Sequence, residues 1–574
     1  MKVVIVGGVA GGATAAARLR RLDEHAEIVV LERTGYVSYA NCGLPYYIGG
    51  AITDRRRLTL QTPESFMRRF RIDVRVHHEV TRIDREQKFV EVTRLADGTA
   101  YRESYDKLIL APGARAVRPD LPGIDSGRLF TLRTVEDTFV IADFIDREHP
   151  RTATVVGAGF IGLEMAENLV ERGVKVTVVQ RPAHVMPTLD DDMAALLQNH
   201  LRSHGIDLIL NAQVDGFEEV AGGIVTKVLP KAGSDAQAAC PSARELASDM
   251  VVLAVGVVPE SELAASAGLE LGQKGSIKTD ATMRTSDPDI YAVGDAVEVV
   301  HAVSGRPALV ALAGPANKQG RIAADAICGV ARPFAGSQGS SVMKAFEMTV
   351  ASTGLTSRAA AAAGYDFDAV VLSPASHATY YPGAESMTLK VLFERGTWRV
   401  LGAQAVGGAG VDKRIDVLAV AIRAHMTAFD LTELDLAYAP PYSSAKDPVN
   451  MAGYIIENIA TGKVAQIQWA DVERRGEGDV VLDVRTQGEY DRGHIEGALH
   501  IPLDDLRERL GELPRDRRLL VHCQSGLRSY LACRILAQEG FTCANVAGGF
   551  GFYAATKLNQ IANARGVGPC GLKA

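Results

Sequence analysis

The chain opens with Lys2-Val3-Val4-Ile5-Val6, a run rich in β-branched residues, and continues directly into Gly7-Gly8-Val9-Ala10-Gly11-Gly12. A helical stretch at 13–22 and a second apolar run at 27–32 follow, so the segment predicts a strand, a glycine turn, a helix and a strand. The same plan returns at 154–180, where Gly157-Ala158-Gly159 begins the turn. Two such units predict an α/β protein with two nucleotide-binding folds of the Rossmann type.

Composition limits the class of protein. At 574 residues the chain has room for about four domains, and its hydrophobic content of 47% supplies several cores. With 62 basic and 69 acidic residues the formal net charge is −7, which gives no electrostatic reason to expect nucleic acid or a membrane surface as a partner. Seven cysteines without regular spacing, no signal peptide and no apolar stretch of about 18 residues lead us to expect a cytoplasmic protein.

Downstream of the second glycine turn the pattern changes. Residues 230–248 are rich in Ala, Ser and Asp without periodicity, so we expect a surface loop or a hairpin there, with Cys240 incidental. After Gly329 the alternation of strand and helix patterns predicts an α+β domain. A short connection then leads to a fourth domain and a glycine-rich tail.

The first glycine turn has the features of a dinucleotide site. A tight corner between Gly7 and Gly12 lets the backbone approach a pyrophosphate at the helix N-terminus. Glu32, at the end of the second strand, can accept hydrogen bonds from ribose hydroxyls. Val9 replaces the second glycine of the usual pattern, and a turn of this kind is weak evidence by itself.

Two further segments strengthen this interpretation. Leu108 to Ala114, which includes Ala111-Pro112-Gly113, and Thr285 to Asp295, which ends in Gly294-Asp295, resemble the flavin-side motifs of the flavoprotein disulfide reductases with two dinucleotide domains. The resemblance implies that FAD is bound and that Asp295 holds its ribityl chain. The FAD-binding residues predicted in this way are Gly7, Gly12, Glu32, Ala111, Gly113 and Asp295.

The second glycine turn, followed by Glu164, resembles the nicotinamide half of the same family, and Ala254-Val255-Gly256 matches the segment that returns the chain to the flavin domain. Where a strand-end Glu or Asp would bind the ribose of NADH, this chain has Gln180 followed by Arg181, and an arginine there can pair with a 2′-phosphate. We therefore expect NAD(P)H, with the preference left open. The predicted contacts are Gly157, Gly159, Gly162, Gln180 and Arg181.

Cys42 stands in Tyr39-Ala40-Asn41-Cys42-Gly43-Leu44-Pro45, and the next cysteine in the sequence is Cys240. Because the thiolate is the nucleophile, a functional Cys42 requires positive surroundings such as a helix dipole or an oxidised flavin. Most flavoprotein disulfide reductases use two closely spaced cysteines. This segment instead resembles the single-cysteine branch, which contains the coenzyme A disulfide reductases and their rhodanese-fused relatives, including NADH-dependent persulfide reductases.

That resemblance implies a mixed disulfide between Cys42 and coenzyme A near the flavin, in a homodimer whose partner subunit supplies two tyrosines. The motifs at 377–383 and 438–442 match, which indicates Tyr380, or Tyr381 in its place, together with Tyr438. A phenol there can donate a proton to a departing thiolate. The residues that the resemblance assigns to coenzyme A are Thr14, Arg18, Arg21, Ser38, Asn41 and Lys446.

Near the end of the chain, the segments 480–485, 493–498 and 519–523 resemble a rhodanese domain. Cys523 opens a six-residue loop that ends at Arg528, where backbone amides and a helix N-terminus favour an anionic thiolate or persulfide. Related phosphatases have a loop one residue longer, so the short loop favours sulfur transfer over phosphate hydrolysis. We expect Cys523 and Arg528 to be functional and Asp483 to brace the loop. Cys533 and Cys543 are predicted core residues.

Together these features predict an α/β protein with two Rossmann-like dinucleotide-binding domains, an α+β dimerisation domain and a C-terminal rhodanese α/β domain. The predicted bounds are 1–113 and 248–328 for the FAD-binding domain, 114–247 for the NAD(P)H-binding domain, 329–460 for the dimerisation domain, 461–468 for the connection, 469–558 for the rhodanese domain and 559–574 for the tail.

The expected activity is FAD-dependent reduction of coenzyme A persulfide, polysulfide or coenzyme A disulfide by NAD(P)H, with the rhodanese domain delivering sulfane sulfur. Two alternatives stay open: an NAD(P)H oxidase or peroxidase that cycles Cys42 through a sulfenic acid, and an enzyme that is mainly a sulfurtransferase. The physiological sulfur substrate, the route of sulfur between Cys523 and Cys42, and the role of Cys570 also stay open. No metal, nucleic acid or membrane partner is predicted.

Overall fold

The computed structural model describes residues 1–231, 242–330 and 332–565, so Cys240 and Cys570 lie outside the described part of the chain. The chain forms two compact units. Unit 1 contains Met1–Pro182 and Ile206–Gly339, and unit 2 contains Ala183–Gly205 together with the described residues from Ser340 onward. Within the described ranges, no helix combines the length and the apolar character needed to cross a bilayer.

The elements are numbered in chain order. Up to residue 130 they are β1 (Lys2–Val6), α1 (Ala10–Leu22), β2 (Glu27–Glu32), α2 (Leu44–Ile48), α3 (Pro63–Phe70), β3 (Asp73–Val76), β4 (His78–Asp84), β5 (Phe89–Arg94), β6 (Thr99–Ser104), β7 (Lys107–Leu110), β8 (Ala114–Ala116) and β9 (Leu129–Phe130). Up to residue 253 they are α4 (Val135–Glu148), β10 (Thr152–Val156), α5 (Phe160–Glu171), β11 (Lys175–Val179), α6 (Asp191–Ser203), β12 (Asp207–Ile209), β13 (Ala212–Val220), β14 (Gly223–Pro230), β15 (Arg244–Ser248) and β16 (Met250–Leu253).

The elements from residue 254 to residue 460 are β17 (Val257–Pro259), α7 (Glu262–Ser266), β18 (Ile290–Ala292), β19 (Val299–Val300), β20 (Pro307–Ala308), α8 (Ala313–Ile327), β21 (Ser341–Ala345), β22 (Met348–Gly354), α9 (Ser357–Ala363), β23 (Phe367–Leu372), β24 (Met387–Glu394), β25 (Val400–Gly407), α10 (Val411–Arg423), α11 (Ala428–Thr432) and α12 (Pro448–Ala460). Those that follow are β26 (Gln466–Ile467), α13 (Trp469–Glu473), β27 (Asp479–Asp483), α14 (Gln487–Asp491), β28 (Leu499–His500), β29 (Arg518–His522), α15 (Leu527–Gln538), β30 (Cys543–Val546) and α16 (Gly549–Arg565).

The first glycine turn lies at the centre of a parallel sheet. The strand order is β18-β7-β1-β2-β3, and the β-branched side chains of Val3, Val4 and Ile5 are fully buried. Strand order reverses between β1 and β7, so the turn after β1 is at the switch point where α/β sheets bind ligands. The sequence prediction of a Rossmann-like unit at residue 1 therefore agrees with the structure.

The second glycine turn has the same position in its own sheet. Its strand order is β12-β11-β10-β16-β9, with β10 at the centre. The segment predicted as a loop or a hairpin is framed by β14 and β15, which pair antiparallel. Residues 232–241, between these two strands, lie outside the described ranges.

Unit 2 contains the two predicted C-terminal folds. The antiparallel sheet β21-β22-β25-β24-β23 packs against α10, and the parallel sheet β26-β30-β29-β27-β28 packs against α15. Two bounds differ from the prediction. β26 pairs with β30 and begins the last sheet inside the segment predicted as a connection, and α16 continues to Arg565, beyond the predicted end at 558.

Helix α6 lies within the predicted bounds of the second nucleotide domain and makes contacts in unit 2. The helix belongs to unit 2, where Lys390 from β24 binds Asp190 at 2.9 Å and Asp192 at 2.7 Å. Lys390 lies far from α6 in sequence, so the periodicity of the helix could not predict this contact. A strand of two residues such as β26 is likewise too short for a periodic pattern.

Candidate active sites

The first glycine turn borders a cavity of about 490 Å³ inside unit 1. Gly7 adopts φ +95°, and a Cβ at this position would lie 2.1 Å from the carbonyl oxygen of Ala111, so glycine is required. Gly12 is buried in α1, where a Cβ would lie 1.9 Å from the Gly7 oxygen. Of the predicted FAD-binding residues, Gly7, Glu32, Ala111 and Gly113 line the cavity.

Glu32 connects the end of β2 to this turn. Its Oε2 accepts a hydrogen bond from the Gly8 backbone at 2.8 Å, and its Oε1 accepts one from the Thr34 backbone at 2.9 Å. A carboxylate has about four acceptor sites, so Glu32 can also bind ribose hydroxyls. Glu260, which also lines the cavity, has a buried carboxylate oxygen with no hydrogen-bond partner among the described residues. The close backbone turn and these acceptors fit a dinucleotide such as FAD.

Asp295 follows β18, the edge strand of the first sheet, and forms an ion pair with Arg133 at 3.3 Å. Burial raises the pKa of Asp295, and the Arg133 guanidinium opposes that shift. Arg133 also lines the cavity. The ion pair therefore connects Asp295, the residue predicted to bind the ribityl chain, with the wall of the cavity. Sequence reasoning missed Arg133, which stands in a loop with no recognisable motif.

The second glycine turn repeats these features. Gly157 adopts φ +103°, and a Cβ there would lie 2.2 Å from the Ala254 oxygen, while a Cβ on Gly162 would lie 2.0 Å from the Gly157 oxygen. Gln180 occupies the place that Glu32 has in the first unit, since its Oε1 accepts from the Ala158 backbone at 3.0 Å. Arg181 is exposed beside it, and Gly159 caps α5. The predicted nicotinamide-side residues thus converge on one turn.

Cys42 lies in a short 3-10 turn, Asn41–Gly43, directly before α2, and its side chain is exposed. The loop that carries it is tied to the first glycine turn, because the Ser38 backbone donates to the Gly8 oxygen at 2.8 Å. Ser38 itself has φ +46°, and the Asn41 Oδ1 is buried without a hydrogen-bond partner among the described residues. The structure therefore brings Ser38, Asn41 and Cys42 next to the predicted flavin site.

The charged protein groups around Cys42 act mainly against ionisation of its thiol. Although the residue is exposed, partial burial of its sulfur raises the pKa of the thiol, and the carboxyls of Glu164 and Asp295 raise it further. Arg133 acts in the opposite direction but does not prevail. The charged protein groups alone therefore favour the neutral thiol.

Glu164 and Tyr46 also belong to the surroundings of Cys42. Burial, followed by the Glu167 carboxylate, raises the pKa of Glu164 to about 7. Burial, followed by Glu164, raises the pKa of Tyr46 to about 12, so its phenol keeps its proton at neutral pH. Tyr46 was missed because a tyrosine on a short helix has no distinguishing sequence pattern.

The remaining coenzyme A candidates are in varied settings. Thr14 Oγ1 donates to Asn317 at 2.7 Å, and Arg18 is paired with the buried Asp325 at 2.6 Å, so the charge of Arg18 is already compensated. Arg21 is exposed in the last turn of α1. Lys446 is exposed in the loop before α12 in unit 2.

Two of the predicted tyrosines form a pair in unit 2. The hydroxyls of Tyr380 and Tyr438 are 2.8 Å apart, and both side chains are exposed, by 74% and 46%. The hydrogen bond from Tyr380 raises the pKa of Tyr438. Tyr381 instead packs edge-on against His377, with 5.7 Å between ring centroids. Of the two alternatives left open, Tyr380 is the one joined to Tyr438.

Cys523 follows β29 and is fully buried. Its sulfur accepts a hydrogen bond from the Gly526 backbone at 3.1 Å and one from Ser529 Oγ at 3.4 Å. Gly526 has φ +103°, which allows the chain to turn around the sulfur and enter α15. The loop therefore directs donors to the sulfur, as predicted, and Ser529 is a donor that the sequence did not indicate.

Arg528, the last residue of this loop, is held by Glu489 from α14. The guanidinium donates to both carboxylate oxygens at 2.7 Å, and this pairing lowers the pKa of Glu489 to about 2. A bidentate pair fixes the orientation of the arginine as well as its charge. Glu489 was missed because its role depends on a partner on another element.

Asp483 braces the same loop through Arg485. The two side chains are buried and form an ion pair at 2.6 Å, and Arg485 Nη1 lies 3.5 Å from Gln524 Oε1 in the loop. Cys533 is buried and Cys543 half-buried, and the Cys543 thiol donates to the Cys533 backbone oxygen at 3.5 Å. Both belong to the hydrophobic core of this domain.

These features define a class of protein. Two dinucleotide-type turns, an acid beside the first of them and a cysteine tied to that turn are the parts of a flavin- and nicotinamide-dependent oxidoreductase with a redox cysteine. The buried Cys523 loop adds a separate sulfur site on the last domain.

Comparison with family models agrees with this class. Residues 1–319 match the pyridine nucleotide-disulphide oxidoreductase model, 341–448 match the dimerisation domain of that family, and 468–555 match a rhodanese-like domain. The chain belongs to the pyridine nucleotide-disulphide oxidoreductase family, and it is an oxidoreductase. The family implies FAD and a pyridine nucleotide, which the two turns described above fit.

Individual relatives are similar over most of the chain. A coenzyme A disulfide reductase from Staphylococcus haemolyticus (strain JCSC1435) is 38% identical over 454 residues, which cover 79% of this chain and 98% of that protein. The crystal structure of reduced Bacillus anthracis CoADR-RHD is 46% identical with a TM-score of 0.93, covering 97% of this chain and 98% of that one. A NAD-dependent persulfide reductase from A. fulgidus is 39% identical with a TM-score of 0.88, covering 96% and 100%. The predicted resemblance and fold class are thereby confirmed.

Proposed function

We propose that this protein uses NAD(P)H and FAD to reduce coenzyme A persulfide, polysulfide or coenzyme A disulfide, and that its rhodanese domain delivers the sulfane sulfur. The observation that carries the proposal is the presence of two differently built cysteine sites in one chain. Cys42 is accessible and tied to the first dinucleotide turn, whereas Cys523 is buried under hydrogen-bond donors. The names of two similar proteins support coenzyme A disulfide and a persulfide as substrates.

The reaction for the persulfide balances as CoA–S–SH plus NAD(P)H plus H⁺ giving CoA–SH, H₂S and NAD(P)⁺. Cys42 attacks the inner sulfur of the persulfide, so that HS⁻ leaves and a Cys42–CoA mixed disulfide forms. FAD, when bound, supplies the path by which two electrons from the nicotinamide reduce that disulfide. Thiolate attack requires loss of the Cys42 proton, which burial and the carboxylates of Glu164 and Asp295 oppose by raising the pKa of the thiol, so a positive group such as the oxidised flavin has to offset them.

Release of the coenzyme A thiol requires a proton donor. We assign this role to Tyr380 and Tyr438 in a homodimer. The tyrosine pair of one subunit would donate a proton at the Cys42 site of the other subunit. Their support is the 2.8 Å contact between two exposed hydroxyls, and the match of residues 341–448 to a dimerisation domain. A hydrogen-bonded phenol pair can pass a proton to a departing thiolate while it stays in place.

Cys523 is proposed to take sulfane sulfur from a donor such as a polysulfide and to transfer it to the coenzyme A thiol. A persulfide at Cys523 would be anionic, and the donors from Gly526 and Ser529 suit that charge. Arg528 is proposed to orient the donor, with its own position fixed by Glu489.

Anaerobic turnover tests the two assignments separately. We expect Cys42→Ser to abolish sulfide release from coenzyme A persulfide, while Cys523→Ser impairs use of polysulfide much more than use of the ready-made persulfide. Cys328→Ser, at the end of α8 in unit 1, is the matched control and should retain both activities. Full sulfide release by Cys42→Ser would refute the reductase assignment.

Peroxide-dependent turnover faster than persulfide-dependent turnover would favour the oxidase or peroxidase alternative instead. Thiosulfate-to-cyanide transfer faster than any reduction would favour a sulfurtransferase.

A further inference from the structure

Two histidines and a glutamate in unit 2 converge at one place. His200 and His204 are four residues apart in the C-terminal part of α6 and just after it, so their side chains lie on one face of the helix. Glu347 lies in the turn between β21 and β22. The nitrogen and oxygen atoms that these three residues offer all lie within 4.8 Å of one another.

The separations between the donor atoms suit one shared ion. His204 Nε2 lies 2.9 Å from Glu347 Oε2, His200 Nε2 lies 3.7 Å from the same oxygen, and His200 Nε2 lies 3.1 Å from the Ala345 carbonyl oxygen. An ion bound at about 2.0–2.2 Å from each ligand separates neighbouring ligand atoms by roughly 3.0–3.5 Å, depending on its geometry. The observed distances bracket that range. His200 Nε2 donates to the Ala345 carbonyl oxygen, so a bound ion must displace that proton and take the place of the hydrogen bond.

The ring of His204 is already oriented for this role. Its Nδ1 lies 3.0 Å from the carbonyl oxygen of His200, which can only accept, so Nδ1 donates there. Nε2 faces Glu347 and is the atom that would bind the ion once it gives up its own proton. The same ring stacks on Phe346 from the hairpin turn, with 4.0 Å between centroids and 7° between planes. Backbone hydrogen bonding of the second ring nitrogen is the usual support of a metal-binding histidine.

We propose that His200, His204 and Glu347 form a binding site for a divalent transition-metal ion of the Zn²⁺ type, with the Ala345 carbonyl or water as a fourth ligand. Two imidazoles and one carboxylate suit Zn²⁺ and disfavour Mg²⁺ and Ca²⁺, which take oxygen ligands. The ion joins the end of α6 to the β21–β22 hairpin.

The position of the site gives the ion a structural purpose. Gln198 and Arg202 of α6 bind Asn559 of α16, each at 2.7 Å. A metal ion that fixes α6 to the hairpin therefore also steadies the helix on which the last helix of the rhodanese domain rests. The inference concerns the joint between the two C-terminal folds and does not depend on the proposed reaction.

Metal content of the FAD-loaded full-length protein tests the site. After removal of metals with a chelator, the protein is equilibrated with Zn²⁺, passed through a desalting column and analysed for zinc by mass spectrometry. We expect the wild type to hold one Zn²⁺ per chain more than His204→Gln and Glu347→Ala. Loss of a direct ligand should weaken Zn²⁺ binding by at least the roughly 10- to 100-fold that follows loss of a residue hydrogen-bonded to a ligand. His25→Gln, an exposed histidine in unit 1, is the control and should bind as the wild type does. Thiols that bind zinc contribute equally to every variant, so they do not affect the difference.

The glutamate variant protects the test against misfolding. Glu347 is exposed by 79% of its side chain, so its removal leaves the fold intact, which retained FAD content verifies. Zn²⁺ should also raise the thermal midpoint of the wild type but not that of Glu347→Ala. Equal zinc content in all four proteins would overturn the proposal, and the cluster would then be an ion pair of His204 with Glu347.

Discussion

Replacement of Asp483 by Asn removes the counter-charge of a buried arginine in the last domain. Arg485 and Asp483 have only 2% and 0% of their side chains exposed, and the Arg485 guanidinium donates to Asp483 at distances of 2.6 and 3.0 Å. His522 lies 3.7 Å from Asp483, but burial lowers the pKa of this histidine to about 4, so it is neutral at pH 7. The asparagine keeps the shape of the side chain while it leaves the guanidinium charge unpaired.

The expected cost follows from these contacts. Breaking a buried ion pair by removing one charge typically costs about 3–5 kcal/mol. The amide oxygen of Asn can still accept one hydrogen bond, and the backbone oxygens of Glu489 and Gly493 already accept from Arg485, so we take the lower end, about 3 kcal/mol. In a domain of this size 1 kcal/mol shifts the midpoint of thermal unfolding by about 4–8 °C, so the domain should melt about 12 °C or more below the wild type.

Tryptophan fluorescence measures this domain separately. The sequence has two tryptophans, and Trp469 is buried in the last domain, where its Nε1 donates to the Gly549 oxygen at 3.1 Å. In a Trp398→Phe background, the emission of Trp469 reports the melting of this domain within the full chain. Asp491→Asn is the matched control, since Asp491 is exposed on the same domain. A midpoint for Asp483→Asn within about 2 °C of that control would refute the reasoning that Asp483 compensates a buried charge.

Three further substitutions test the nucleotide sites and Cys42. Gly12→Ala should greatly reduce the FAD content after purification, because its Cβ would lie 1.9 Å from a backbone oxygen. Gly127 has open space around it, so the control Gly127→Ala should bind FAD normally. Equal FAD content in the two variants would contradict this reasoning. Arg181→Ala should lower kcat/KM for NADPH by about tenfold or more while kcat/KM for NADH changes little. This is the effect expected from loss of a charge-assisted hydrogen bond of roughly 1.5–3 kcal/mol. An unchanged ratio of kcat/KM for NADPH to that for NADH would show that Arg181 does not contact the nucleotide. Glu164→Gln should speed alkylation of Cys42 by iodoacetamide, followed by mass spectrometry, because the carboxylate raises the pKa of that thiol. The difference should shrink below pH 7, where Glu164 takes up its own proton, and slower alkylation in the variant would contradict the assignment.

Sequence alone located the parts of the site that depend on local spacing. Glu32 and Gln180 could be predicted because each ends the strand that follows a glycine turn, and the structure gives each the same backbone-binding role. Cys523 could be predicted because its loop runs directly from a strand into a helix, so that its own amides reach the sulfur. In these cases the geometry is contained within a few consecutive residues.

Features that depend on distant partners could not be predicted. Arg133 and Glu489 act through residues on other elements, and nothing in their own neighbourhoods marks them. The carboxyls that raise the pKa of the Cys42 thiol could not be predicted either, because the fold brings Glu164 and Asp295 near it from separate segments. The choice between Tyr380 and Tyr381 likewise required the position of Tyr438, whose hydroxyl contacts that of Tyr380.

The proposed reaction requires Cys42 to form a mixed disulfide with coenzyme A, to release sulfide and to receive electrons delivered through the flavin. Anaerobic titration tests it most directly: the FAD-loaded protein is bleached with one equivalent of NAD(P)H, and coenzyme A persulfide is then added while flavin absorbance and sulfide are recorded. We expect the flavin colour to return in proportion to the persulfide added, with one sulfide released per flavin, and Cys42→Ser to stay bleached. Recovery of colour in Cys42→Ser at the wild-type rate, or no recovery in the wild type, would contradict it.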